Sequence, residues 1–328
     1  MLDSPPSPLP AFRARLREIR YSSKSVSAIS ELHAALREDP LAVAVRLFRD
    51  HGGANAAEYR ELFADLSLPS WLMSQSGDTW KAEYQLALAH ELILLCDWPT
   101  SPTDVLPPGE TTAIVSGAAA NVPQGLSILD LGCGTGVLAL LLAPGSAQCV
   151  GTDLNPRAIA LARHNAELNV LPEVEFRSGS LFQPVGDTRF DLIVSQPPYI
   201  PQPQETSRHV FLHGGTRGDE LALELLHQLP DHLQPHGHAL IFSDWSLCSG
   251  ETLIDRIHVQ GLHVTAYVAP PISPKSYAAA YGVELQEHLA AMKIAGVQQA
   301  LLHLQPGRGF DLIPVLPHEW SGIRIAFS

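Results

Sequence analysis

Apolar positions recur with two different spacings along this chain, and the change of spacing divides it. In the first hundred residues they fall at helical intervals. Pro10 to Arg20 mixes apolar and basic residues on a helical repeat, and Val26, Ile29, Leu32 and Leu36 share one face of a second helix. Leu41 to Phe48 follows Pro40, a residue suited to a helix's first turn. Ala54 to Leu66 and Asp78 to Leu95 extend the pattern, which predicts a helical module over residues 1–104. No stretch there alternates with period two over a useful length.

Residues 96–110 are rich in Pro and turn formers, which places a domain boundary near 104. Beyond it short apolar runs alternate with helical stretches. Strands are expected over Ser127–Leu131, Ala147–Asp153, Val174–Ser178, Phe190–Ser195 and Ala239–Ser243. Helices are expected over Val137–Leu142, Pro156–Leu168 and Glu220–Leu229. Such alternation implies an α/β fold, a parallel sheet with helices on both faces. A sixth strand is expected over His263–Ala269, then a helix near Val283–Ile294, then strands over Gln299–Leu304 and Gly322–Phe327.

Composition narrows the class. Of 328 residues 45 % are hydrophobic and 17 % charged, enough apolar material for a sizeable core, which excludes a mainly disordered chain. The longest purely apolar run, Val137 to Ala143, is far short of the ~20 residues of a transmembrane helix. The opening residues MLDSPPSPLP lack the basic and apolar regions of a secretory signal. Cys96, Cys133, Cys149 and Cys248 form no C-x-x-C pair, so neither a disulfide framework nor a metal-ligand set is expected; a reduced cytoplasm is the simplest compartment. The net charge of −13 counts against a nucleic-acid partner and leaves a small molecule or a protein as the substrate class. Basic residues do outnumber acidic ones over residues 1–50, where Arg13, Arg15, Arg17, Arg20 and Lys24 read as a solvated helix face.

The segment Ile128-Leu-Asp-Leu-Gly-Cys-Gly-Thr-Gly136 carries the chemistry. A hydrophobic strand runs into an acid and then glycines at alternate positions. Gly132 and Gly134 permit a tight turn and close approach of the backbone to a ligand, and Gly136 lets the next helix pack close to the strand. The second strand ends in Asp153, placed to accept hydrogen bonds from both hydroxyls of a ribose. The third ends at Ser178-Gly-Ser-Leu-Phe182 and the fourth at Gln196-Pro-Pro-Tyr199. All four lie at the carboxyl ends of successive strands, where an open α/β sheet binds its ligands.

These residues resemble the class I S-adenosylmethionine-dependent methyltransferases, and most of all the release-factor glutamine N-methyltransferase branch. Asp130-Leu-Gly-Cys-Gly-Thr-Gly136 is similar to that family's first cofactor motif, and Asp153 matches its ribose-binding acid. Gln196-Pro-Pro-Tyr199 resembles its Asn-Pro-Pro-Tyr motif. Val105-Leu-Pro-Pro-Gly-Glu-Thr111 and Gly214-Gly-Thr-Arg-Gly-Asp-Glu-Leu221 resemble its approach segment and its Gly-Gly-x-x-Gly-Leu helix start. The resemblance implies a Rossmann-like sheet of seven strands, one antiparallel, over residues 105–328, with an insertion near 270–298. It implies S-adenosyl-L-methionine as cofactor, held by Asp130, Gly132, Cys133, Gly134, Gly136, Asp153, Leu154, Ser180 and Leu181. It implies methylation of a nitrogen positioned by Gln196, the Pro197 carbonyl and Tyr199.

The physical requirement is in-line attack, with the nitrogen lone pair on the axis of the sulfur–methyl bond. Two carbonyl acceptors for the nitrogen's N–H bonds aim that lone pair. Gln196 stands where the family has Asn; it keeps the acceptor and the donor on a chain one methylene longer, so a different acceptor shape is expected. The acceptor is then an amide or amine of a small molecule or of a protein glutamine. An RNA or DNA base methyltransferase and a non-catalytic cofactor-binding module of the same fold are the alternatives.

Other candidates carry less. Cys133 within the glycine loop is a small residue whose backbone matters, rather than a nucleophile. Pro198, His213, Arg217 and Trp245 are candidate substrate contacts, Trp245 having core packing as the equal alternative. Arg208 could read a carboxylate or phosphate, and His209 has a metal-like spacing to His213 but no third ligand, so no metal is expected. His232, His236 and His238 read as solvated loop at the sheet edge opposite the cofactor.

Overall fold

In the computed structural model of the chain, residues 7–32, 39–64, 66–100, 104–202 and 212–327 are described. Arg208 and His209 lie outside the described residues.

The N-terminal part is mixed rather than purely helical. Helices α1 (Leu9–Glu18), α2 (Ser23–Leu32) and α3 (Pro40–Phe48) precede a short strand β1 (Gly53–Asn55) and helix α4 (Ala56–Phe63). Asn55 starts α4 with a reciprocal capping box to Glu58. The helix expected over Asp78–Leu95 is instead made of strands β3 (Thr79–Ala82), β4 (Gln85–Ala89) and β5 (Leu92–Cys96), with β2 (Met73–Ser76) just upstream. Leu92–Cys96 is an apolar run of five buried residues, and periodicity cannot separate such a run from a buried helix. Turn chemistry decides it: Gly77 and His90 sit at φ +60° and +52°, closing two antiparallel hairpins.

The β4–β5 hairpin is fastened to the larger part of the chain. After α5 (Glu110–Ala118) come β6 (Ser127–Leu131), α6 (Val137–Leu142), β7 (Gln148–Asp153) and α7 (Pro156–Leu168). Asn165 on α7 accepts from the Leu95 N–H at 2.7 Å and donates to the Leu95 and Thr135 carbonyls at 3.1 and 2.9 Å. Asn169, just beyond the helix, accepts from the Ile93 N–H at 3.1 Å and donates to its carbonyl at 2.7 Å. One helical turn and a two-residue strand step are nearly equal in length, so two asparagines four apart satisfy the free edge of β5. Arg157 grips the buried carboxylate of Asp97 through both guanidinium arms.

The chain continues through β8 (Glu175–Ser178), β9 (Phe190–Ser195), β10 (Ile200–Pro201), β11 (His213–Gly215), α8 (Glu220–His232), β12 (Leu233–Cys248), α9 (Leu253–Arg256) and β13 (Leu262–Val268). It ends with α10 (Pro274–Ala278), α11 (Val283–Ala291), β14 (Ile294–Pro306) and β15 (Gly309–Pro314). The main sheet has the order β15-β13-β14-β12-β9-β6-β7-β8. β14 runs antiparallel to both neighbours and the other pairings are parallel. Seven strands with one antiparallel are therefore present, and β15 adds an eighth at the edge. The strand expected over Gly322–Phe327 is absent from the sheet. Ile323 and Ile325 are buried there, but the segment touches α5 through the Ile325 N–H to Ala118 carbonyl bond at 3.1 Å.

The histidine cluster before the fifth strand also needs correcting. β12 begins at Leu233, so His238 is already within the sheet, 6 % exposed, its Nδ1 2.9 Å from Nε2 of His303 on β14. His232 stacks on Phe182 with ring centres 4.0 Å apart. Burial, then the charges of His238 and His263, push His303 down to about 4. A histidine depressed in the folded state takes up protons more readily once unfolded, so stability is full above about pH 6.5 and is lost as pH falls toward 4. Thermal melts between pH 7.5 and 4.5 should show a falling melting temperature, and His303→Gln should flatten that slope.

Candidate active site

The glycine loop leaves the end of β6 in a conformation only glycine adopts easily. Gly132, Gly134 and Gly136 have φ of +77°, +53° and +81°. The Gly132 and Cys133 N–H groups donate to the Thr152 carbonyl at 2.8 and 2.9 Å, which ties the loop to β7. A Cβ at Gly136 would sit 2.9 Å from the Phe176 ring and 3.0 Å from Ala162 Cβ, so this glycine serves close packing of helix and sheet. A Cβ at Gly132 or Gly134 would meet nothing within 4 Å, so the backbone there faces open space.

Two acids bracket the loop and do different things. Asp130 is 1 % exposed and accepts the Ala139 N–H of α6 at 2.9 Å; burial pushes its carboxyl up to about 7. It shapes the loop from behind. Asp153 ends β7 half-buried, accepting the Gly134 N–H at 2.9 Å and the Asn155 N–H at 2.8 Å. A carboxylate has about four acceptor positions, so two remain for a ligand. The Asp153 carbonyl accepts the Gly179 N–H at 3.0 Å, which brings the Ser180–Leu181 turn to the same end of the sheet. Ser180 is exposed, Leu181 half-buried with φ +46°, and Leu154 is 60 % exposed. Cys133 is 5 % exposed, and burial raises its thiol well above the usual range, so it is no nucleophile.

Gln196 follows β9 directly. Its Oε1 accepts the Thr112 hydroxyl at 2.9 Å and its Nε2 donates to the Thr111 hydroxyl oxygen. Both threonines stand in the first turn of α5, so the segment before β6 holds the longer side chain in place. Tyr199 is drawn to Thr111 and Gln196; burial outweighs them and raises its phenol to about 12. The Gly-rich segment acts from outside. A Cβ on Gly214 would lie 2.3 Å from the Pro198 carbonyl, and one on Gly218 2.4 Å from the Tyr199 carbonyl. These glycines allow the 213–218 backbone to press against the Pro198–Tyr199 backbone.

The remaining candidates lie elsewhere. Trp245 is 0 % exposed and packs in the core on the α8 face of the sheet, so it does not line the cleft. Arg217 is engaged by Glu251 at 2.7 Å and by the Ser246 carbonyl, which leaves its charge paired. His213 Nδ1 lies 3.4 Å from the Ile200 carbonyl. The insertion packs on the acceptor side: Tyr277, Leu285 and Leu289 form one buried cluster with Ile200, against which Tyr199 rests. Sequence reasoning missed Thr111, Thr112, Asp244 and Tyr277. Thr111 closes the approach segment and Asp244 precedes Trp245, so strand alternation was the signal that puts Asp244 on the other face.

A strand order with one reversed member, a glycine loop after the first strand and an acid after the second define a nucleoside-binding α/β enzyme site. The Methyltransferase small domain family matches residues 118–257. A release factor glutamine methyltransferase of Geobacter sulfurreducens is 38 % identical over 44 % of this chain and 55 % of its own length. A Methanocaldococcus jannaschii protein whose name reads "Putative protein N5-glutamine methyltransferase" is 32 % identical over 42 % of this chain and 71 % of its own. Among solved structures, a TehB-like SAM-dependent methyltransferase from Corynebacterium glutamicum aligns with TM-score 0.36 and 24 % identity over 60 % of this chain and 88 % of that one. The chain belongs to the S-adenosylmethionine-dependent methyltransferases, on the branch that resembles these glutamine methyltransferases. Methyltransferase is the activity that the names of the matched family and of these relatives print. It spans 55 % of the Geobacter protein and 37 % of an Aliivibrio fischeri release factor glutamine methyltransferase. Among the described residues no helix is long and apolar enough to cross a membrane, and no group of three or more His, Cys, Asp or Glu is arranged to hold a metal.

Proposed function

We propose that this enzyme methylates a nitrogen, the amine or amide of a small molecule or a protein side chain, presented to Gln196 and the Pro197 carbonyl. The observation that carries this is the Gln196 amide, fixed by Thr111 and Thr112 at the end of β9 beside the glycine loop. The donor supplies an electrophilic methyl carbon. Asp153 accepts the ribose hydroxyls, the open backbone at Gly132 and Gly134 admits the donor, and Leu154, Ser180 and Leu181 border the adenine. Asp130 acts as a positioning residue through α6.

On the acceptor side, Gln196 Oε1 and the Pro197 carbonyl take the two N–H bonds of the nitrogen. This aims the lone pair at the methyl carbon and raises its electron density. Thr112 uses one lone pair of Oε1 and leaves the other for the substrate. Tyr199 supplies a flat wall. A protein glutamine is supported by the names of the relatives, and a small-molecule acceptor by Gln in place of Asn and by the insertion at the site. Residues 1–104 form a module docked on α7, with the boundary near 104. The surfeit of acidic residues favours an acceptor other than nucleic acid.

The test is transfer of label from methyl-tritiated S-adenosyl-L-methionine to a panel of amine, amide and peptide acceptors, with the methylated atom located by fragmentation mass spectrometry. Label on nitrogen is expected. Label on carbon or oxygen alone contradicts the proposal. Separately, Asp153→Asn keeps the shape but weakens two charge-assisted hydrogen bonds, so donor affinity should fall about ten-fold to thirty-fold in calorimetry.

A further inference from the structure

One buried charge beside the acceptor residues is left unused by this mechanism. Asp244 lies on β12 two residues beyond Phe242, on the same face, and is 2 % exposed. Its Oδ2 accepts the Tyr277 hydroxyl at 2.8 Å and its Oδ1 the Gln299 amide at 3.3 Å. Both partners are neutral. Two other buried carboxylates are treated differently, Asp219 meeting Arg256 and Asp97 meeting Arg157 as ion pairs, whereas Asp130 is held by a backbone N–H behind the glycine loop. Asp244 has no cation among its partners in the described residues.

What surrounds it is aromatic. Tyr277 and Tyr281 come from the insertion, with ring centres 5.4 Å apart. Tyr199 comes from the acceptor motif, and its phenol and that of Tyr281 both feel the Asp244 charge. A carboxylate buried without a cation is costly, and aromatic faces attract cations, so the two together favour a positively charged organic group.

We propose that Asp244, with Tyr199, Tyr277 and Tyr281, makes this site selective for acceptors whose methylated nitrogen is a basic aliphatic amine. This rests on the N-methyltransferase reading and narrows its substrate class. The arriving ammonium gives one proton to solvent. The amine lone pair then forms the N–C bond as the C–S bond breaks, and that bonding pair stays on sulfur. Positive charge passes from sulfur to nitrogen, toward Asp244. A neutral amide gains less from the same field. Asp244 acts across a low-dielectric wall and through Tyr277, so it is a specificity and positioning residue.

The experiment titrates the full chain, saturated with S-adenosyl-L-homocysteine, with butylamine hydrochloride and with butyramide by ligand-observed NMR. Butylamine is expected to bind about five-fold tighter than the neutral amide. Asp244→Asn should erase that preference with affinity for S-adenosyl-L-homocysteine unchanged. Tyr277→Phe, which loosens the carboxylate without removing it, should roughly halve the preference and serves if the Asp244 variant does not fold. Equal binding, no butylamine binding, or a preference that survives both substitutions overturns the proposal. Failure to bind S-adenosyl-L-homocysteine would instead overturn the reading beneath it.

Discussion

Gln196→Ala should lower the rate of methyl transfer by about 10²–10³-fold and leave donor affinity within about two-fold. The asymmetry follows from where the residue sits. Gln196 is held by Thr111 and Thr112 and is the proposed acceptor-side residue, whereas the donor's ribose and backbone contacts are proposed at Asp153 and the glycine loop. On the proposed mechanism, removing the side chain deletes one of the two acceptors that orient the nitrogen. It frees two threonine hydroxyls that are only half-buried, so the fold loses little. Gln196→Asn is the sharper variant. It restores the family's usual residue but withdraws the amide by one methylene from both threonines. Its rate should lie between wild type and Gln196→Ala, since a displacement of about 1 Å already disturbs alignment. Single-turnover kinetics and calorimetry with S-adenosyl-L-homocysteine separate the two effects. A variant that loses donor affinity and rate together would place Gln196 on the donor side.

Asn165→Ala should destabilise the protein by about 3 kcal/mol, which for a chain of this size lowers the melting temperature by about 5–10 °C. The side chain is 0 % exposed and makes hydrogen bonds to both backbone groups of Leu95 and to the Thr135 carbonyl. Alanine leaves those groups buried without partners, and desolvated orphans are the costly case. The effect should also be local. Thr135 belongs to the glycine loop and Leu95 to the N-terminal hairpin, so hydrogen exchange should quicken first in β5 and then in residues 132–136. Donor affinity should fall with it. A melting temperature within a degree of wild type would show that water or backbone shifts satisfy the edge of β5 without Asn165.

Much of the catalytic half was legible because its signals are local. Strand-ending acids and glycines mark the cleft by spacing alone, and Pro156–Leu168 and Phe190–Ser195 have the bounds their periodicity implies. The hairpins at 73–96 were not legible. Their strands are short, the last is apolar on both faces, and the bond that stabilises its edge comes from Asn165, seventy residues away. The partnership of His238 with His303 and of Asp244 with Tyr277 is set by strand order, which no local pattern encodes. The terminal Ile323–Ile325 alternation looked like a strand because burial on one side gives the same period whether the partner is a sheet or a helix.

The most direct test is a crystal structure of the full chain with S-adenosyl-L-homocysteine. The ribose hydroxyls should bond to Asp153, the homocysteine part should cross the backbone of Gly132 and Gly134, and the sulfur should face the Gln196 side chain and the Pro197 carbonyl. A ligand held elsewhere, or one whose sulfur points away from Gln196 with Asp153 free, would contradict the account.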